Sequence, residues 1–230
     1  MRSSKWQAHG NVYLLIEPDA PLDQFAARKL AQGTDGVLEV VSVDGADAEI
    51  AIWNPDGSRA EMSGNGTRIA AAWLSESAGD KVRIRVGDRV VAARRLDDGR
   101  IEQELGEVQV LPREEVAGIE VTPVSVGNPH AVVLGDPASI VRVGPLLETH
   151  PRFPERTNVQ VARIDGPGRV TARVWERGVG ETQSSGTSAV AVAAATHGAG
   201  EVRVSFPGGE LDVLLDAGRA WLIGPAERVD

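Results

Sequence analysis

The chain has 230 residues, 42% of them hydrophobic and only 4% aromatic, so it can bury a sizeable core built mostly of Val, Leu, Ile and Ala. Its net charge of −9, with no Lys/Arg run, opposes binding to nucleic acid or to anionic membrane surfaces, and no apolar stretch is long enough to span a bilayer. Cysteine is absent, which excludes disulfides, thiolate metal sites and thiol catalysis, and the four histidines lack metal-ligand spacing. No metal and no cofactor is expected. Met1 to Gly10 carries no apolar run of the kind found in secretion signals, so the expectation is a soluble, cytoplasmic protein.

Short strands dominate the pattern. Val12–Ile16 reads as an apolar strand, and Leu22–Ala31 has helical spacing with Asp23 near its start. Val37–Val43 and Glu49–Trp53 read as strands bounded by Asp-Gly and Asn-Pro-Asp-Gly turns. A meander follows over Val82–Val86, Arg89–Leu96 and Arg100–Leu105. After the polar stretch Pro112–Gly118, a second series begins with Val121–Val126 and Ala131–Leu134, then a helix over Asp136–Thr149. Asn158–Ile164, Arg169–Trp175, Glu201–Ser205, Glu210–Leu215 and Arg219–Ile223 complete the strands.

Two further helices, Thr67–Leu74 and Thr187–Thr196, are apolar around their circumference, the pattern of helices buried on all sides. Ser63-Gly64-Asn65-Gly66 opens the first, and Ser185-Gly186-Thr187 opens the second. Asn54 lies nine residues before Ser63, Glu176 lies nine before Ser185, and the two units are 122 residues apart. This is the mark of a diverged internal duplication. The expected architecture is α+β, with two pseudo-symmetric lobes, each a curved, mostly antiparallel sheet wrapped around a buried central helix. The lobes are expected at 1–115 and 116–230, with the last strand able to pack back on the first lobe.

Serine is a favoured N-cap, so each Ser-Gly step alone reads most simply as a cap. Two in matched context suggest more. A helix N-terminus offers unpaired N–H donors and a positive dipole end, which suit a carboxylate, and glycine lets a ligand approach the backbone. If the lobes face each other, a side chain from each would stand on either face of one bound carbon. Proton removal on one face and return on the other is the chemistry such a pair serves. Asn11, Asn54, Asn128 and Asn158 sit at strand ends or before proline, and Glu176-Arg177-Gly178 closes a strand. Singly each Asn is a turn residue; as a set they suggest a polar cleft for a small molecule.

Four segments then resemble one family. Trp53-Asn54-Pro55-Asp56-Gly57-Ser58 through Glu61-Met62-Ser63-Gly64-Asn65-Gly66-Thr67-Arg68 is similar to the diaminopimelate epimerase block N-x-D-G-S … C-G-N-G-x-R. Gly127-Asn128-Pro129-His130-Ala131-Val132 resembles a second block, and His150-Pro151 through Phe153-Pro154-Glu155-Arg156-Thr157-Asn158-Val159 a third. Glu176-Arg177-Gly178-Val179-Gly180-Glu181-Thr182 followed by Ser185-Gly186-Thr187 resembles E-R-G-x-G-E-T-x-x-C-G-T. The resemblance runs in family order over nearly the whole chain. It implies a two-lobed, cofactor-free epimerase that interconverts LL- and meso-diaminopimelate in lysine biosynthesis. Members of the family often form dimers, so a homodimer is the implied assembly. By position Ser63 and Ser185 stand where the family has its two catalytic cysteines. Gly64, Asn65, Gly186 and Thr187 would hold the carboxylate at the reacting centre. Asn11, Asn54, Asn158, Glu176 and Arg177 would hold the distal end, with Asn128 and His130 lining the pocket near the catalytic pair.

The departures carry consequences. The usual opening G-x-G-N-D-F is here Ala8-His9-Gly10-Asn11-Val12-Tyr13, and the chain is shorter than most members. Serine at both catalytic positions matters most. A thiol has a pKa of about 8.5, lowered at a helix N-terminus, whereas a hydroxyl needs an adjacent group to take its proton. Of the pocket motifs, only His130 offers such a base, and it serves one serine at most. Three readings follow: an epimerase working slowly or by a modified route; an inactive protein, either an engineered double Cys→Ser form or a natural amino-acid binder; or a dehydratase or lyase using serine. Ser184, Ser188 and Val190 also depart from the family run A-C-G-T-G-A-C, which favours natural divergence.

Overall fold

The computed structural model describes residues 2–60 and 62–230. Two compact units emerge: Met1–Glu104 with Ile223–Asp230, and Leu105–Leu222.

In the first unit, strands β1 (Arg2–Ala8) and β2 (Asn11–Glu17) form a hairpin with Trp6 opposite Tyr13. The patterning had not singled out β1, where Trp6 and Ala8 are buried among polar neighbours. The hairpin turns at His9 and Gly10, both with positive φ (51° and 80°), the conformation a two-residue loop between twisted strands requires. Asn11 is thereby placed at the first position of β2. Helix α1 (Gln24–Leu30) is capped by Asp23, whose carboxylate accepts from the Ala26 N–H at 2.8 Å. Then come β3 (Gly36–Asp44), β4 (Asp47–Trp53), β5 (Arg59–Ala60), α2 (Gly64–Ala78), β6 (Lys81–Val86), β7 (Arg89–Arg95) and β8 (Ile101–Glu107). β2 runs parallel to β3, β3 pairs antiparallel with β4, and β4 runs parallel to β6 across the α2 crossover.

The second unit repeats this order. After β9 (Gln109–Val110) and β10 (Glu114–Val116) come β11 (Ile119–Ser125), β12 (Pro129–Leu134), a 3-10 turn at Pro137–Ser139 and α3 (Ile140–Glu148). β13 (Asn158–Gly166), β14 (Arg169–Glu176), β15 (Gly180–Thr182), α4 (Gly186–Thr196), β16 (Gly200–Phe206), β17 (Gly209–Asp216) and β18 (Arg219–Gly224) follow. β12 is parallel to β13, β13 antiparallel to β14, and β14 parallel to β16. The short β19 (Glu227–Arg228) belongs to the first unit and pairs with β1, Trp6 opposite Arg228. The duplication read from the spacing is therefore a duplication of topology.

Each unit has its core around its long helix. Ile69, Ala70, Ala71 and Leu74 of α2 pack against Leu38, Ile50, Ile52, Ile84 and Ile101. Ala189 through Ala194 of α4 pack against Val132, Val174, Val204, Leu211 and Val213. The small side chains of α4 let strands close around it, and every residue from Ala189 to Ala193 is fully buried. The opposite faces are covered by the shorter helices, α1 against Ile16, Val37 and Trp53, and α3 against Val133, Val159 and Val161. No helix among the described residues is long and apolar enough to cross a membrane.

Candidate active site

Both Ser-Gly steps open helices, as the spacing requires, but α2 is not uniformly apolar. Arg68 lies within it and is completely buried. Among the described residues no carboxylate meets it: Arg68 Nη2 donates to Asn65 Oδ1 at 2.6 Å and Nε to the Pro225 carbonyl at 3.1 Å. Nη1 has no partner among the described residues. Burial pulls its pKa down to about 10, which still leaves it charged at neutral pH. Asn65 in turn donates from Nδ2 to Asn11 Oδ1 at 2.5 Å. A relay thus fixes both amides in orientation at the α2 N-terminus.

Ser63 is the N-cap of α2. Its Oγ accepts from the Gly66 N–H at 3.0 Å and lies 3.2 Å from the Tyr13 hydroxyl. This hydroxyl is committed to capping, and neither partner is a base. The Gly64 and Asn65 amides precede the capped one.

Ser185 occupies the same place on α4 but makes no side-chain cap. The half-buried carboxyl of Glu176 lies near its hydroxyl and accepts from Thr182 Oγ1 at 2.6 Å. Burial raises the Glu176 pKa, and the two hydroxyls offset part of that rise. A half-buried carboxyl with a raised pKa, close to a hydroxyl at the mouth of a helix, is the arrangement that makes an alcohol a usable proton carrier. Gly186 and Thr187 form the first turn of α4, where amides not taken by a serine cap face outward.

The asparagines separate by role. Asn54 is held within its own turn, donating from Nδ2 to Ser58 Oγ at 3.0 Å, with the Gly57 N–H returning to its carbonyl. Asn158 ties two backbones together: Nδ2 donates to the Pro129 carbonyl and Oδ1 accepts from the Arg177 N–H, both at 3.0 Å. Arg177 reaches the Glu155 carbonyl through Nη1 at 3.0 Å. Asn128 Oδ1 lies 3.0 Å from His130 Nε2, and both residues line a cavity of about 380 Å³ with Ser125, Gly127 and the 152–156 loop. His130 is buried, and desolvation pushes its pKa from 6.5 down to about 3, against a hydrogen bond from Gln160 and with the nearby Arg177 charge adding to the fall.

Sequence reasoning missed Tyr13, Arg68, Gln160 and Thr182. The duplication held the signal for Tyr13, whereas the counterpart of Gln160 is the apolar Leu38. Tyr13 stands opposite Gly36 in its parallel pair as His130 stands opposite Asn158, so Tyr13 and His130 are equivalent positions. Arg68 and Thr182 were in the quoted blocks, without a partner to suggest their role.

The comparisons now bear on this geometry. The sequence profile described as Diaminopimelate epimerase matches residues 8–111 and 122–229. The chain belongs to the diaminopimelate epimerase family. It is 36% identical to the diaminopimelate epimerase of Desulforudis audaxviator, an alignment covering 100% of this chain and 97% of that protein. It is 37% identical to that of Xanthomonas axonopodis pv. citri, covering 98% and 93%. Among solved structures, it resembles a phenazine biosynthesis protein from Bacillus anthracis (TM-score 0.77, 15% identity, 99% and 96% covered). It also resembles a hydroxyproline epimerase from Agrobacterium vitis with bound trans-4-hydroxy-L-proline (TM-score 0.65, 16% identity, 99% and 88% covered). At those identities the structural likeness shows the fold alone. The chain is an isomerase of the epimerase and racemase type by its family.

Proposed function

We propose that this family member labilises the α-proton of diaminopimelate, using Ser185 with Glu176 as its effective acid–base pair, and that epimerisation is completed through Ser63. The observation that carries this reading is the closeness of the Ser185 hydroxyl to the half-buried Glu176 carboxyl, where it offsets part of the rise in that carboxyl's pKa. The α-carboxylate is held by the amides at Gly186 and Thr187, with Gly64 and Asn65 the equivalent donors of the first unit. There the helix ends favour the negative charge that builds up as the proton leaves. Glu176 takes the hydroxyl proton as Ser185 accepts the α-proton. Asn11, Asn54, Asn128, His130, Asn158 and Arg177 bind the rest of the substrate on this reading. No cofactor takes part, and the setting is a cytoplasmic homodimer of the lysine pathway.

Ser63 supports a second reading. Its hydroxyl caps a helix and bonds to a phenol, so exchange without inversion, or simple amino-acid binding, is the outcome if it carries no proton. The test is incubation with LL-diaminopimelate in D₂O, followed by NMR for α-deuterium and meso product, beside a Ser63→Cys, Ser185→Cys variant. Deuterium incorporation by the unaltered protein supports the proposal. Exchange by the double variant alone leaves an amino-acid pocket without a working acid–base pair.

A further inference from the structure

Four side chains of the second unit form one buried hydrogen-bonded row. Asn128 Oδ1 lies 3.0 Å from His130 Nε2, and His130 Nδ1 lies 3.0 Å from Gln160 Nε2. The same Gln160 nitrogen donates to Ser188 Oγ at 2.9 Å. His130, Gln160 and Ser188 are all within 1% of complete burial, so water does not substitute for these partners. An amide nitrogen carries two protons and no available lone pair. Placed between Nδ1 and Ser188 Oγ, it gives one proton to each. Nδ1 must then supply a lone pair, and the single proton of a neutral imidazole sits on Nε2, facing the carbonyl oxygen of Asn128. The orientation present leaves Gln160 Oε1 without a partner among the described residues, and the reversed amide would put the NH₂ group in that place. Under-satisfied carbonyls are the more tolerable of the two.

The first unit shows that folding does not require this row. The equivalents of His130, Gln160 and Ser188 there are Tyr13, Leu38 and Gly66, by strand register and by helix position. A Cβ added at Gly66 would meet Leu38 Cδ2 at 3.0 Å, so Leu38 and Gly66 form a tightly packed, apolar pair. The second unit places a donor and an acceptor at the same two positions: the donor acts on the imidazole and the acceptor holds the donor.

We infer that Gln160 and Ser188 are positioning residues that lock His130 as the Nε2–H tautomer, so that the ring orients Asn128 and does not act as a general base. With its Oδ1 held by the ring, Asn128 directs its NH₂ group elsewhere, available to an acceptor on a ligand in the cavity it lines. The charge of Arg177 acts on the ring and opposes its protonation, as burial does. The consequence for catalysis rests on the epimerase reading above; the tautomer does not.

The test is NMR on the full chain, ligand-free, with ¹⁵N-labelled histidine. Two-bond proton–nitrogen correlations are recorded from about pH 5 to about pH 8, where an ordinary histidine titrates, and His130 is assigned by its loss in His130→Gln. The inference predicts a protonated Nε2 and an unprotonated Nδ1 across that range. Gln160→Glu, which offers only acceptors, is expected to move the proton to Nδ1 or to protonate both nitrogens. An Nδ1–H ring in the unaltered protein, or one that titrates normally, overturns the inference whether or not the variant folds. So does a Gln160→Glu variant that folds and keeps the Nε2–H pattern. Because no substrate is present, failure of the exchange assay leaves this result standing, and the reverse also holds.

Discussion

The two Ser-Gly helix starts share a fold and differ in chemistry. At α2 the serine hydroxyl is the cap, tied to the Gly66 N–H and to Tyr13. At α4 it leaves the cap unmade and lies near the half-buried carboxyl of Glu176. Position nine before each serine decides the matter: Asn54 is folded into its own turn, while Glu176 faces the hydroxyl. A duplicated frame therefore brings two identical residues to equivalent places and, among the described residues, sets a carboxyl beside only one of them. Where the family relies on two thiols, each acidic enough to work alone, hydroxyls make that difference consequential.

Breaking the stronger end should have the largest effect. Glu176→Gln removes the proton acceptor and is expected to lower α-proton exchange by about 10²–10⁴-fold, the usual worth of a general base; deuterium wash-in by NMR measures it. Glu176 also sets a pH dependence. Burial raises its pKa, so the carboxylate form is gained only above the normal carboxyl range, and the acid limb of the exchange profile should lie correspondingly high. That limb should vanish in Glu176→Gln.

Single thiol replacements sharpen the comparison. Ser63→Cys should accelerate epimerisation more than Ser185→Cys, because it supplies acidity where the described residues place no base. A ratio of about tenfold or more, by initial rates of meso product, is the expected outcome.

Stability contrasts the units next. His130 has a pKa of about 3 in the folded chain against 6.5 ordinarily, so between those values the unfolded chain binds the extra proton. Stability contributed by this residue is thus present above about 6.5 and is lost as pH falls toward about 3. Denaturant unfolding across that window should show a shallower pH slope in His130→Gln.

Smaller effects come from exchanging the trio positions. Ser188→Gly removes an acceptor from a buried amide and should cost about 1–3 kcal/mol. Gly66→Ser forces a side chain against Leu38 and should cost a similar amount by overpacking, about 1–3 kcal/mol. Equal tolerance of both by thermal unfolding would erase the distinction between the trios.

Much of this was legible beforehand. The 122-residue offset, the paired Ser-Gly steps and the apolar helices gave the α+β duplication, and the four blocks gave the family. The difference between the serines was not legible. Spacing sets where Ser63 and Ser185 lie, but whether a hydroxyl caps its helix or turns to a carboxyl is a rotamer choice set by neighbours in three dimensions. Arg68 escaped because a charge inside an apolar helix reads as a solvent-facing exception; its partner Pro225 is distant in the chain. Asn54 and Asn158 looked alike as strand-end asparagines, yet one closes a local turn and the other bridges strands. Gln160 sat in a strand whose alternation gave no reason to expect a buried amide.

The most direct test of this asymmetry is deuterium wash-in at the α-carbons of LL- and meso-diaminopimelate, measured separately by NMR with the unaltered protein and with Ser63→Cys. If only Ser185 has a base, the two α-configurations exchange at clearly unequal rates in the unaltered protein, and Ser63→Cys narrows the gap. Equal rates in the unaltered protein would contradict the account, because both hydroxyls would then be equally competent.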